Sequence, residues 1–442
     1  MGAHVQPNIV FIFSDQHRAC TTSLEGAAVV TPNLERMASE GIVMRNCISN
    51  APVCTPWRAA FLTGQYPLTN GVFLNDVRLS TNIPTLGNCL KAGGYRTGYV
   101  GKWHLDGNKR AGYIPPGPRR QGWDEWAVLN CTHSYLKSRY YLNDDDQIRQ
   151  WDGYDAITQT DAAVDFINKA DDDSRPFALV LSWGPPHNPY RDIPDAYLDQ
   201  YPVDEAEVRP NCETPNKEEL SGYYAHVTAL DEQLGRIQDL LEQKDLMENT
   251  VLIYTSDHGD MVGSHGEQRK QKPWDESIRV PFVIQCPGLK GEGSTLQKPI
   301  NMVDLMPTLL SFAGIDIPDG VEGRDLSRLF TGGEPDGDDV ALTMCITPFA
   351  EYTGLPWRGV RTSRYTYARR LDGPWLLYDN ETDPYQQNNM IDQPEYAALQ
   401  EELEGYLIRL LAERDDPFEP AQFYIDKWGF EVDEKGAVPY TN

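Results

Sequence analysis

The residues Cys54-Thr55-Pro56-Trp57-Arg58 combine a thiol, a helix-starting proline and a guanidinium at helical spacing. Pro56 can sit in the first turn of a helix, where its missing N–H costs nothing. That puts Cys54 at the helix mouth, where unpaired N–H groups and the positive dipole end favour an anion. Arg58 follows on the same face and adds a fixed charge. The stretch reads as a nucleophile at an anion-binding helix start, with a reduced cysteine beside a structural arginine as the alternative. A second group ends the strand-like run Tyr95–Leu105, where Lys102 and His104 point to one side of an extended chain. A cation and an imidazole there suit an anionic oxygen and a leaving-group proton, although a surface lysine with a stacked histidine would look the same. A third is His187, set among Pro185, Pro186 and Pro189 at the end of the apolar run Pro176–Trp183. It is held rigidly, either for chemistry or simply bonded to backbone.

These groups need a scaffold that gathers strand ends. Asn8–Phe13 and Thr250–Ser256 are apolar runs without strict alternation, as expected of strands buried on both faces. The first runs into Asp15-Gln16 and the second into Asp257-His258. In open α/β sheets ligands bind at the carboxyl ends of strands. Asp15 and Gln16 offer the oxygens a hard cation takes, and Asp257 and His258 add a carboxylate and an imidazole at the same edge. Asp15-Gln16 as a helix cap is the alternative. Thr31–Ala38 opens like a helix, and Tyr223–Lys244 carries apolar residues at helical spacing. Residues 106–155 lack periodicity and read as an irregular insertion. Its Trp123, Trp126, Tyr135, Tyr140, Tyr141 and Trp151 could stack on sugar faces or pack the loop on itself. Gly332–Asp339 reads as a linker, followed by strands in 357–367 and 374–379 and a helix over 395–413. The segment 416–442 is aromatic and acidic and suggests no function.

Composition narrows the function classes. The 442 residues carry a net charge of −27, from 39 Lys+Arg against 66 Asp+Glu. Nucleic-acid binding through a basic surface is excluded, and no apolar run reaches the roughly 18 residues that span a bilayer. An anionic substrate would be repelled at long range, so it needs a locally basic pocket or a saline medium that screens the field. The eight cysteines are scattered with no Cys-x-x-Cys, which is neither a zinc pattern nor a dense disulfide framework and leaves one or two disulfides open. Met1-Gly2-Ala3-His4 fits an expression leader replacing a signal segment. The expected location is periplasmic or secreted in that case and cytoplasmic otherwise.

Cys54-Thr-Pro-Trp-Arg58 followed by Ala59-Ala-Phe-Leu-Thr-Gly64 resembles the signature of the type I sulfatases, in the alkaline phosphatase superfamily. Gly101-Lys-Trp-His-Leu105, Pro186-His-Asn-Pro189 and Ser256-Asp-His-Gly259 are similar to further motifs of that family and fall in its order. Trp57 departs from the pattern, which has a small residue there. The resemblance implies a large, mostly parallel sheet sandwiched between helices, with a smaller C-terminal antiparallel sheet plus helix. The catalytic domain would span 1–335 and the C-terminal subdomain 336–442. It implies that a maturation enzyme converts Cys54 to formylglycine, whose hydrate attacks sulfur. Asp15, Gln16, Asp257 and His258, with Cys54, would hold Ca²⁺, and the mixed imidazole and amide shell leaves Mn²⁺ open. Arg58, Lys102 and Lys270 would stabilise sulfate oxygens, His187 or Lys270 would protonate the leaving alcohol, and His104 would take the proton that releases sulfate. Lys270 is placed by its distance before Trp274-Asp-Glu-Ser277, with Lys272 as its substitute; Asn75 would face the transferred group. Related phosphonate monoester hydrolases carry Thr where this chain has His104, which favours a sulfatase. The expected substrate is a sulfated saccharide or a small sulfate ester. The alternatives are a phosphonate or phosphodiester hydrolase on the same scaffold, and a saccharide-binding relative in which Trp57 blocks maturation.

Overall fold

The computed structural model describes residues 6–334, 337–350, 352 and 354–442. Among them a ten-stranded mixed sheet forms the centre. Thr250–Ser256, Asn8–Asp15, Phe177–Pro186, Arg96–Lys102 and Glu125–Leu129 lie side by side and parallel. Antiparallel pairs then extend both edges, Val283–Gln285 with Ile42–Met44 on one side and Arg139–Leu142 with Arg149–Gln150 on the other. Ser294–Leu296 closes the first edge in parallel with Ile42–Met44.

Asn8–Asp15 is buried along its whole length because both faces of the sheet are covered. Ile9, Phe11 and Phe13 point to one side, into a core shared with Trp57, Phe61, Leu86 and Leu305. Val10 and Ile12 point to the other, into a core with Leu34, Phe166, Leu230 and Ile237. The helices Pro32–Glu40, Asp155–Asp171 and Lys217–Gln243 cover the second face; Cys54–Thr63, Leu86–Ala92 and Leu305–Phe312 cover the first.

Residues 106–155 are more regular than their sequence suggests. They supply Glu125–Leu129 and the two edge strands beyond it. Most of their aromatics are internal: Trp123, Trp126, Tyr135, Tyr141 and Trp151 are buried, and Tyr140 stacks on Trp151 at 3.7 Å. These side chains hold the extended sheet together. All eight cysteines are free, so neither of the disulfides left open by the sequence forms.

Val340–Cys345, Trp357–Thr362, Tyr365–Arg370 and Gly373–Asp379 form the small antiparallel sheet, backed by the helix Ala397–Ala412. Its core is continuous with that of the large sheet: Leu342, Val360, Leu403 and Tyr424 belong to the cluster that holds Phe11 and Phe61. Pro335 and Asp336, in the linker and on either side of the expected domain boundary, lie outside the described residues, as does Met1–His4. The tail folds into the helix Ala421–Trp428, whose Tyr424 and Trp428 meet Phe73 edge-on. Among the described residues no helix is long and apolar enough to cross a membrane.

Candidate active site

The helix Cys54–Thr63 starts where its sequence places it, with Pro56 in the first turn and Gly64 in the left-handed region (φ 64°) closing the end. Val53 caps it without a side-chain bond; instead the Thr55 N–H donates to Asn75 Oδ1 at 3.0 Å. Asn75 thus ties down the helix mouth. Every residue of this helix is buried. Cys54 and Arg58 share the face toward the strand ends. Trp57 lies on the core side, 4.9 Å from the Phe13 ring and 5.6 Å from Phe61.

The strand ends bring the acidic groups to the thiol. Asp15, Cys54, Asp257 and His258 each offer a ligand atom, all within 4.8 Å of one another. Cys54 Sγ lies 3.5 Å from Asp15 Oδ1 and 3.3 Å from His258 Nε2. The His258 Nδ1–H donates to the Gly259 carbonyl at 2.9 Å, which turns Nε2 toward the cluster. Gln16 gives its Nε2–H to Asp260 at 2.7 Å, and its Oε1 is buried without a partner. An orphaned amide oxygen costs free energy unless something fills it. Burial and the neighbouring Asp15 push the Asp257 carboxyl up to about 6. Two carboxylates, an imidazole and an amide oxygen fit a hard or borderline divalent cation. A cation among them would satisfy Gln16 Oε1 and offset the repulsion between the two acids.

Arg58 and Lys102 hold this acidic floor in place. The Arg58 guanidinium donates to the Lys102 carbonyl and Ser182 Oγ, both at 2.7 Å, and reaches Asp15 Oδ2 at 3.2 Å and Asp257 Oδ2 at 3.4 Å. Lys102 Nζ donates to Asp15 Oδ2 at 2.6 Å. Burial pushes the Asp15 carboxyl up, but Lys102 first, then Lys270 and His258, outweigh it and hold the group well below the usual carboxylate range.

Opposite the floor, Lys270 Nζ lies 3.1 Å from Cys54 Sγ and 3.1 Å from His187 Nε2. The His187 Nδ1–H donates to the Asn188 carbonyl at 2.8 Å, leaving Nε2 to accept from the lysine. Burial, then the Lys270 charge and His133, hold His187 well below the ordinary histidine value. His133 stacks on it at 4.2 Å with the rings nearly parallel. Burial and Asp15 push the Cys54 thiol up, yet Lys102, Lys270 and His258 together hold it well below its usual value. His104 sits with φ 58° and bonds Asp76 Oδ1 through Nε2 at 3.2 Å. Burial pulls it down, but Cys131, Asp76 and Cys54 raise it to about 10.

Cys54, Arg58, Lys102, His187, Lys270, Asp15, Asp257 and His258 therefore converge, with Gln16, His104 and Asn75 around them. Lys272 does not. Its ammonium lies 3.6 Å from Glu267 Oε2 and 5.4 Å from the Tyr352 ring centroid. Sequence reasoning passed over Asp76, Asp260, His133 and Ser182, which orient the groups that touch the centre. Asp76 directly follows Asn75 and Asp260 closes the Asp257-His258-Gly259 motif, so proximity to a motif was the one available signal.

Residues 7–315 match the family model described as Sulfatase, and residues 263–413 match N-sulphoglucosamine sulphohydrolase, C-terminal. The chain belongs to the sulfatase family. This sulfatase is a sulfuric ester hydrolase by that membership, and is 43% identical over 445 residues to an ulvan-active sulfatase of Formosa agariphila, covering 98% of this chain and 87% of the relative. It also resembles a protein solved in complex with its substrate D-glucosamine-2-N,6-O-disulfate, with a TM-score of 0.81 and 25% identity over 94% of this chain and 99% of that one. A phosphonate monoester hydrolase from Silicibacter pomeroyi has a TM-score of 0.72 at 22% identity, over 93% of this chain and 96% of the other. That likeness shows the shared fold alone.

Proposed function

We propose that this sulfatase removes a sulfate ester from a sulfated saccharide, using a formylglycine that a maturation enzyme makes from Cys54. A divalent cation, Ca²⁺ in the first instance, would be held by Asp15, Gln16, Asp257 and His258. The observation that carries the reading is the convergence of Lys270, His258 and Asp15 on Cys54 Sγ at a helix mouth. The saccharide is supported by the ulvan-active relative and by the solved complex with a disulfated glucosamine.

The cation's charge would offset that of the sulfate oxygens, and the hydrated aldehyde would supply the attacking hydroxyl. Everything else falls to the chain's own residues. Arg58 fixes the Asp15 and Asp257 carboxylates. Lys102 holds Asp15 with one donor and keeps others for a sulfate oxygen. Lys270 is the charged proton holder nearest the reacting atom, and neutral His187 accepts from it and orients it. Protonation of the leaving alcohol from Lys270 follows from that order. His104, held by Asp76 through Nε2 at 3.2 Å, is the imidazole left to take the proton that releases sulfate.

The test has two parts. After co-expression with a maturation enzyme, the mass of the Cys54 peptide should be that of the aldehyde; an intact thiol would overturn the formylglycine reading. A panel of defined sulfated sugars, with sulfate release as readout, should contain a substrate turned over much faster than an aryl phosphonate. A faster phosphonate reaction would replace the sulfate ester with the phosphonate as substrate.

A further inference from the structure

The aromatic tail, to which the sequence assigns no role, reaches the candidate base. Asp76, whose Oδ1 accepts from His104 Nε2, is also clamped by Arg110: Nε donates to Oδ1 at 2.9 Å and a terminal nitrogen to Oδ2 at 2.8 Å. A bidentate guanidinium fixes a carboxylate in orientation as well as in position. Arg110 in turn lies under Tyr440, its guanidinium carbon 3.3 Å from the ring centroid. The tail backbone secures that stack. The Arg110 N–H donates to the Thr441 carbonyl at 2.8 Å and the Thr441 N–H to the Asn108 carbonyl at 2.9 Å, while Asn108 Nδ2 donates to the Pro439 carbonyl at 3.0 Å. The loop that carries Asp76 is gripped by the same tail, since Phe73 packs on Tyr424, Trp428 and Phe430. Gly71 (φ 80°) lies so close to Trp428 that a Cβ would meet its ring at 2.4 Å.

The consequence for His104 is a fixed ring orientation. Its Nε2–H is given to Asp76, which leaves Nδ1 as the nitrogen that can exchange a proton in the centre, and its direction depends on where Asp76 stands.

We propose that Tyr440, through Arg110 and Asp76, is a positioning residue for His104, so that the tail sets the rate at which sulfate leaves the enzyme. The inference rests on the reading above in which His104 is the base of that step. In it the second hydroxyl of the sulfated formylglycine hydrate gives its proton to His104 Nδ1. The electron pair of that O–H bond closes the carbonyl, and the bond from carbon to the sulfate oxygen breaks with its pair leaving on sulfate. Only this step needs His104, so impairing it leaves the first release of alcohol intact.

Rapid-mixing kinetics on the matured, metal-loaded enzyme with a chromogenic aryl sulfate reads this directly. In His104→Ala we expect a burst of about one alcohol per site followed by slow turnover. Tyr440→Ala should show the same form in milder degree: a steady-state rate lower by about 2- to 5-fold, as suits a half-exposed cation–π contact, with an unchanged burst. Tyr440→Phe, which keeps the ring, should restore the rate, and Tyr440→Ala should add nothing to Asp76→Asn in a double-mutant cycle. A wild-type steady state in Tyr440→Ala, or additive losses in the cycle, would overturn the positioning role while leaving the mechanism standing. No burst in His104→Ala would overturn the base assignment itself, and the inference with it. Tyr440 is 48% exposed, so these variants should fold, and their melting temperatures check it.

Discussion

Lys270 and Lys272 stand two residues apart in one loop, and both ammonium-bearing chains are buried, at 7% and 0% exposure. One faces the thiol and His187; the other runs to the Gln268 carbonyl, Glu267 and the Tyr352 ring. The loop makes the difference. In an extended chain residues two apart share a side, but Arg269 and Gln271 have φ of 63° and 72°, so the chain turns at each. Gln271 is then stapled outward. Its side chain holds the backbone of Phe349 at 2.9 and 3.2 Å, and its carbonyl accepts from Trp357 Nε1 at 2.8 Å. The C-terminal part of the molecule thereby decides which lysine reaches the site. A buried lysine without an anion to meet is costly: Lys270 meets the thiol and the acidic floor, whereas Lys272 meets a carbonyl, a carboxylate and a ring.

The sharpest way to break this contrast is Lys270→Met. Loss of a preorganised charged donor at the reacting atom should lower kcat/KM by about 10²- to 10³-fold, with the melting temperature little changed. A loss under tenfold would mean that Lys270 is not the group that matters. Lys272→Met should do far less. Its carboxylate partner Glu267 is 40% exposed and can return to water, and an apolar chain of similar length fills the space. We expect a stability change within about 1.5 kcal/mol by denaturant titration and kcat/KM within about 3-fold. A collapse of activity in this variant would put the two lysines in one site after all.

The same division runs through the Cys54 helix, and it shows what sequence could deliver. The strand-end groups were legible because buried parallel strands announce themselves, and chemistry in such sheets gathers at their carboxyl ends. Cys54 and Arg58 were legible through helical spacing. Trp57 was not: it looked like a substitution within the site, yet the roughly 100° step that separates it from Arg58 on the helix turns it toward Phe13 and Phe61. The partners of the site residues were hidden for another reason. Asp76 reaches His104 across 28 residues, and Arg110 reaches Tyr440 across 330, by contacts that no local pattern encodes. The edge strands Arg139–Leu142 and Arg149–Gln150 were missed because strands of four and two residues are too short to show a period.

The smallest expected effect, and the most discriminating, is a shift in pH dependence. His187 is held neutral first by burial and second by the Lys270 charge. With both in place its value lies well below the ordinary one, so it stays unprotonated through the working range and contributes no acid limb to kcat/KM. Lys270→Met removes one of the two depressing causes and also the donor to Nε2. The pKa must therefore rise toward the unperturbed histidine value of about 6.5. Protonation on acidification would then begin at higher pH, and the residual activity of the variant should fall off on the acid side before that of the parent does. Lys272→Met, whose ammonium is turned away, should leave the limb where it was. An unmoved acid limb in Lys270→Met would mean that burial alone governs His187, and that the lysine and the imidazole, though in contact, are not coupled in their charge.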